Sequence, residues 1–126
     1  MFKDTKAFSG FSVNDLAAAK KFYGETLGLD VDQGPQGLRL KIAGGNATFV
    51  YSKTDHVPAT YTILNFPVDD IDKAVDTLTA AGVNFERYGH LTDARGIARG
   101  ATTGGGPDIA WFKDPAGNIL SVLQEG

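Results

Sequence analysis

The sequence has no cysteine and only two histidines, His56 and His90, among its 126 residues. The lack of cysteine excludes disulfides, thiolate metal sites, iron–sulfur clusters and a cysteine nucleophile. The scarcity of histidine means that a metal site would have to consist largely of carboxylates. Thiol chemistry is therefore ruled out, and metal chemistry is restricted.

Long apolar runs and blocks of one charge are also missing. No stretch approaches the roughly 20 apolar residues of a membrane-spanning helix, and the N-terminal MFKDTKAF lacks the apolar region of a signal peptide. Twelve basic and 15 acidic side chains give a net charge of −3 without a Lys/Arg block, which argues against nucleic acid. We expect a cytoplasmic protein that binds neither nucleic acid nor a membrane.

Glycine, in contrast, is abundant. Its 16 residues are about twice the usual frequency and indicate many tight turns. The length is that of one domain, large enough to bury a core without disulfides.

An internal repeat divides the sequence. FSVNDLAAAKKFYGETLGL (11–29) resembles FPVDDIDKAVDTLTAAGV (66–83), with Asp15 aligned on Asp70. GGNATFVY (44–51) likewise resembles AGNILSVL (116–123). The repeat predicts two modules, about 1–54 and 58–126, within a single domain 1–126.

Each module has the pattern strand, helix, three strands. A strand at 6–13 opens the first module, and in both modules a helix starts near the aligned Asp and ends at Gly28 or Gly82. The predicted strands after the helices are 29–33, 37–43 and 46–52 in module one, and 83–88, either 97–102 or 108–113, and 118–124 in module two. DPAGN (114–118) has the composition of a hairpin turn. The fold class is α+β, and each helix covers one sheet face while the other borders a cleft.

These segments resemble a known family. VNDLAAAKKFYGETLGL after a strand, its second copy, and IAWFKDPAGNILSVLQ are similar to the glyoxalase / bleomycin-resistance / extradiol-dioxygenase (vicinal oxygen chelate) superfamily. The resemblance covers essentially the whole chain. It implies two βαβββ modules that form an eight-stranded, partly open barrel around a cleft, and it implies a homodimer.

The resemblance also implies a metal site that this sequence lacks. The family places His, Gln or Glu ligands at four cleft-facing positions, which here hold Phe8, Phe49, Ile63 and Ser121. The first three cannot bind a metal, and a lone serine hydroxyl is a poor ligand. We therefore expect no metal and no cofactor, and no lyase, isomerase or dioxygenase chemistry that needs a metal.

The remaining cleft residues favour a small organic ligand. Aromatic rings could stack on a flat molecule and a few polar groups could orient it; the expected ligand-binding residues are Phe8, Phe49, Tyr51, Ile63, Asn65 and Ser121. The predicted function is metal-free binding of a small organic molecule in the inter-module cleft, or metal-independent catalysis by residues still unknown. The alternatives are a metal-dependent lyase or dioxygenase with displaced ligands, and a structural or regulatory dimer with a vestigial cleft.

Each of five further residues has two possible roles. His56, beside Asp55 in the linker, is either a general base or an exposed loop residue. His90, Arg95 and Arg99 either line the mouth of the cleft, where two arginines would clamp an anion, or belong to the solvated surface. Trp111 is better explained as a core or dimer contact than as a stacking platform.

Overall fold

The structure is a computed structural model that describes residues 1–125. The chain divides into two compact units, Met1–Pro58 and the part from Ala59 onward. The order of elements within each unit is strand, helix, three strands. The predicted α+β class and the doubled βαβββ order are confirmed.

The first unit has one four-stranded sheet and one helix. Strands β1 to β4 lie in the order β1-β4-β3-β2, with β1 parallel to β4 and the other pairs antiparallel. The helix α1 continues directly into a π-helical segment, so that the two form one continuous helix. The bounds are β1 Gly10–Val13, α1 Leu16–Lys21, the π-helical segment Phe22–Thr26, β2 Val31–Gly34, β3 Gly37–Leu40 and β4 Thr48–Ser52.

The second unit repeats this topology. Its sheet has the order β5-β8-β7-β6, and β5 runs parallel to β8. The register repeats as well, since Phe11 lies opposite Val50 in one sheet and Phe66 lies opposite Val122 in the other. The bounds are β5 Thr62–Pro67, α2 Ile71–Ala80, β6 Ile97–Ala98, β7 Asp108–Lys113 and β8 Ile119–Gln124.

Both helices begin at the aspartates that the repeat aligned. The carboxylate of Asp15 accepts a hydrogen bond from the backbone N–H of Ala18, and that of Asp70 accepts one from Lys73, each at 3.1 Å. Each aspartate thus satisfies a backbone N–H that has no partner within the helix.

Each helix covers one face of the sheet in its own unit. Side chains alternate along a strand, so one set points toward the helix and becomes the core. The other face of each sheet, which we call its open face, receives no side chains from that helix. The core residues are Val13, Ala19, Tyr23, Leu38, Leu40 and Val50 in the first unit, and Ile71, Val75, Ile97, Ala110, Phe112, Leu120 and Val122 in the second.

The DPAGN segment forms the predicted hairpin turn between β7 and β8. The buried carboxylate of Asp114 accepts hydrogen bonds from the backbone N–H groups of Ala116 and Asn118, both at 2.9 Å. Gly117 has a φ of +85°, which a residue without a side chain adopts easily. The turn aligns two of the three six-residue strands of the second sheet.

The predicted strand at 83–88 is wrong as a continuous strand. Only Phe85 and Glu86 pair with β7: Phe85 bridges Phe112, and the Glu86 N–H donates to the carbonyl of Trp111 at 2.8 Å. The chain then leaves the sheet over residues 87–96 and returns as β6, which continues along the same edge of β7. We call residues 87–96 the insertion loop. Of the two alternatives for this region, 108–113 is a strand over its full length and 97–102 is a strand only at residues 97–98.

Ion pairs hold the insertion loop on α2. Arg95 contacts Asp72 at 2.5 Å and also Asp76, while Arg99, just beyond the loop, contacts Asp72 at 2.7 Å. The hydrogen bond from Arg99, followed by the positive charge of both arginines, holds the pKa of Asp72 below its ordinary value of 3.8. Burial raises the pKa of Asp93, but backbone N–H donors and Arg99 outweigh it, so that this pKa is also lowered.

Gly96 closes the insertion loop, and we predict that Gly96→Ala destabilises the protein. Its φ is +86°, and an added Cβ would lie 2.8 Å from the carbonyl oxygen of Glu86. Gly82 is the matched control, because its φ is +95° but nothing lies within 4 Å of an added Cβ. Urea unfolding should give a loss of about 1 kcal/mol for Gly82→Ala and at least about 2 kcal/mol for Gly96→Ala. Equal losses would contradict the tight closure.

The lowered pKa of Asp72 predicts a dependence of stability on pH. Because the folded-state pKa lies below the unfolded value, the carboxylate stabilises the fold above pH 3.8 and this contribution disappears as the pH falls through the folded pKa. Asp72→Asn should therefore lower the free energy of unfolding at pH 7 and make little difference at the acid end of the titration.

The measurement is urea unfolding of both proteins across that pH range. Asp69→Asn is the control, since Asp69 precedes the same helix and has no ion-pair partner within residues 1–125. A difference between wild type and Asp72→Asn that stays constant with pH would refute the stabilising role of the ionised carboxylate.

Candidate functional site

The open face of the first sheet carries a stacked pair of aromatic rings. Phe49 and Tyr51 are alternate residues of β4, so their side chains point the same way. Their ring centroids are 5.8 Å apart, and the ring planes differ by 17°. Both side chains are half-buried, so part of each ring surface is available to a ligand.

A glycine on the neighbouring strand allows this arrangement. An added Cβ at Gly37 would lie 3.1 Å from two atoms of the Phe49 ring and 2.3 Å from the carbonyl oxygen of Val50. The Phe49 ring therefore lies against bare β3 backbone, in space that any other residue at position 37 would fill. The absence of a side chain at position 37 therefore makes room for the Phe49 ring in this position.

A cavity of about 610 Å³ lies beside the Phe49 ring, within the size range of small-molecule sites. Phe8 also lines it, but as an exposed side chain ahead of β1, because this strand begins at Gly10 and not at residue 6. The structure thus brings together two of the expected site residues. The lining residues are Lys6, Phe8, Asp32, Gln33, Gly34, Pro35, Gln36, Gly37, Arg39, Asn46, Ala47 and Phe49.

His56 lies against the open face of the same sheet. Its Nδ1 is 2.6 Å from the Oγ of Ser12, the residue opposite Tyr51 in the register. The imidazole is half-buried, and it lies in the segment after β4 where Lys53 pairs with Asp55 at 2.5 Å. The hydrogen bond from Lys53 lowers the pKa of Asp55. The tautomer of the imidazole decides which of the two groups donates, and in either case the hydrogen bond holds the ring against this face.

The open face of the second sheet combines a buried hydroxyl with an amide. Ser121 is completely buried, and its Oγ donates to the Oδ1 of Asn65 at 2.6 Å. The two residues lie opposite one another on β8 and β5. The expected site residues Asn65 and Ser121 are therefore partners, and the amide NH₂ group of Asn65 faces away from this bond.

Trp111 and Tyr88 form an aromatic pair in the second unit. Their rings meet edge to face with centroids 5.5 Å apart, and Trp111 Nε1 donates to the Oγ1 of Thr62 at 3.1 Å. Trp111 lies opposite Ser121 in the register, so it is part of the same face. Tyr88 is not among the expected site residues, because the sequence predicts it as the last residue of a strand at 83–88.

The β5 register changes at Ile63. Thr62 pairs with Ile119 while Leu64 pairs with Leu120, so Ile63 is the extra residue of a β-bulge. Without the bulge, Ile63 would lie opposite Ile119. Thr62 lies there instead, and its hydroxyl accepts the hydrogen bond from Trp111. No signal in the sequence marks this bulge.

The family's metal positions do not fit a metal in this chain. Phe8 and Phe49 have no donor atoms, Ile63 has none, and the hydroxyl of Ser121 is committed to Asn65. Within residues 1–125, no three or more His, Asp or Glu side chains come together as a metal-binding group. His90 is an exposed residue of the insertion loop, and Arg95 and Arg99 are engaged by aspartates.

The helices of the described residues, 1–125, are all too short or too polar to span a bilayer.

The comparisons with known proteins agree with this geometry. Among solved structures, a glyoxalase family protein from Enterococcus faecalis is 22% identical with a TM-score of 0.68, over 98% of this chain and 99% of that one. An antibiotic-binding protein from a Streptomyces species is 23% identical with a TM-score of 0.67, over 98% of both chains. The fosfomycin resistance protein of Listeria monocytogenes is 14% identical with a TM-score of 0.68, over 95% and 92%. At these identities the likeness establishes a shared fold.

A search of curated protein sequences gave no match. The family model described as Glyoxalase/Bleomycin resistance protein/Dioxygenase superfamily, however, matches residues 8–122, nearly the whole chain. This chain therefore belongs to the glyoxalase/bleomycin resistance protein/dioxygenase superfamily.

Proposed function

We propose that this protein binds a small planar organic molecule on the aromatic open face of its first sheet, without a metal. The observation that carries the proposal is the stacked Phe49–Tyr51 pair next to a cavity of about 610 Å³. A flat ring that enters the cavity can stack on Phe49 and displace water from an apolar surface.

The antibiotic-binding relative supports binding as a function for this fold. The same fold also serves a resistance protein, and sequestration of a drug-like molecule requires no chemistry from the protein. Catalysis without a metal remains compatible with the Ser12–His56 pair. The inter-module cleft, the homodimer and the cytoplasmic location stay predictions.

The direct test is to measure the binding of 2-naphthamide, a neutral planar probe, from the change in its fluorescence. We expect Phe49→Ala to weaken the affinity about tenfold, because the loss of one aromatic contact reduces the binding free energy by about 1.4 kcal/mol. Phe2→Ala is the matched control, because Phe2 is 77% exposed and does not line the cavity. Circular dichroism verifies that both variants are folded. An unchanged affinity in Phe49→Ala would remove the proposed site.

The metal-free state has its own test. Mn²⁺, Fe²⁺, Ni²⁺ and Zn²⁺ are added singly to the metal-stripped protein, and the melting temperature and bound metal are measured. We expect no stoichiometric binding and no rise in melting temperature, because the four family positions offer a single hydroxyl, already bonded to Asn65. One ion that binds one to one and raises the melting temperature would instead support a metal-dependent enzyme with displaced ligands.

A further inference from the structure

We propose that the cavity beside Phe49 selects aromatic acids, that is, planar rings with a carboxylate or a similar anionic group. This inference rests on the proposed function and adds the charge of the ligand to it. The observation that supports it is that two cationic side chains, Lys6 and Arg39, line the cavity.

The charges of the cavity differ from those of the whole chain. The protein has a net charge of −3, yet two of the three ionisable side chains in the lining are cationic. The third, Asp32, lies 3.4 Å from the Nζ of Lys41, which is outside the lining. Asp32 is also the cross-strand neighbour of Arg39, so its carboxylate offsets part of the positive charge, but two cations against one carboxylate leave the lining with a net positive charge.

Arg39 is also distinguished from the other arginines. Arg95 and Arg99 are paired with aspartates, and Arg87 donates to the carbonyl of Ala94 at 2.8 Å. Arg39, in contrast, has no hydrogen-bond or ion-pair partner for its guanidinium within residues 1–125, and Lys6 has none for its ammonium. Because the Arg39 guanidinium makes no hydrogen bond or ion pair within the described residues, its donors are available to a ligand.

The sheet register fixes where this guanidinium lies relative to the ring. Arg39 on β3 is directly opposite Phe49 on β4, so the two side chains project from the same face as cross-strand neighbours. A ring stacked on Phe49 would thus direct a substituent at its edge toward Arg39. The planar guanidinium matches a carboxylate with two parallel hydrogen bonds, and Lys6 adds a second charge.

The experiment compares two probes of nearly equal shape. 2-Naphthoate is anionic and 2-naphthamide is neutral, and both are titrated into the intact protein by fluorescence at low salt. We expect 2-naphthoate to bind about tenfold more tightly, since a charge-assisted hydrogen bond in a partly exposed site has about this effect. Salt should weaken the binding of 2-naphthoate and leave that of 2-naphthamide nearly unchanged.

Variants then show which residues cause the preference for 2-naphthoate over 2-naphthamide. Arg39→Gln should remove most of the preference for 2-naphthoate without changing the affinity for 2-naphthamide, and Lys6→Gln should reduce it partly. Arg39→Lys keeps the charge but loses the paired hydrogen bonds, so its preference should be intermediate. Lys21→Gln removes one positive charge from α1, outside the cavity, and should leave the preference intact.

Three distinct results would overturn the inference. Equal affinity for both probes, unaffected by Arg39→Gln, would refute selection for acids while the proposed function stands. Failure of both probes to bind would refute the proposed function and this inference together. A preference for 2-naphthoate that survives both Arg39→Gln and Lys6→Gln would also overturn it, because the charge would then be recognised elsewhere.

Discussion

The structure depends on one constraint: each helix is able to bury only one face of its four-stranded sheet. Strand alternation sends Leu38, Leu40 and Val50 toward α1 and sends Phe49 and Tyr51 the other way. The same division in the second unit sends Leu120 and Val122 toward α2, and Ser121 away from it.

The two open faces use different chemistry in the same framework. In the first, a bare glycine backbone supports a stacked aromatic pair, and a free guanidinium lies on the adjacent strand. In the second, the equivalent place of Phe49 is held by Ser121, whose hydroxyl bonds to Asn65. The duplicated framework is thus asymmetric in its side chains, and within residues 1–125 no group of three or more His, Asp or Glu side chains comes together.

The insertion loop is the largest departure from the internal repeat. It interrupts the edge strand of the second sheet, and its own polar residues bind it to α2 through Arg95 and Asp72. On the open face of the second sheet, the loop places Tyr88 against Trp111. Arg95 and Arg99, which the sequence offers as an anion clamp, form ion pairs with Asp72 of α2 and so hold this loop on the helix.

The sequence by itself determined the duplicated βαβββ order, both helix starts, the hairpin turn and which residues stand at the positions where the family has its metal ligands. These features depend on local chemistry: a capping carboxylate, a turn glycine, or the identity of a residue at a known position. Only the tertiary structure decided the partners across strands, namely Phe49 beside Arg39, Ser12 beside His56, and Thr62 in place of Ile63. Such pairs depend on register, bulges and loop excursions, which arise when distant segments pack together and leave no periodic signal in the chain.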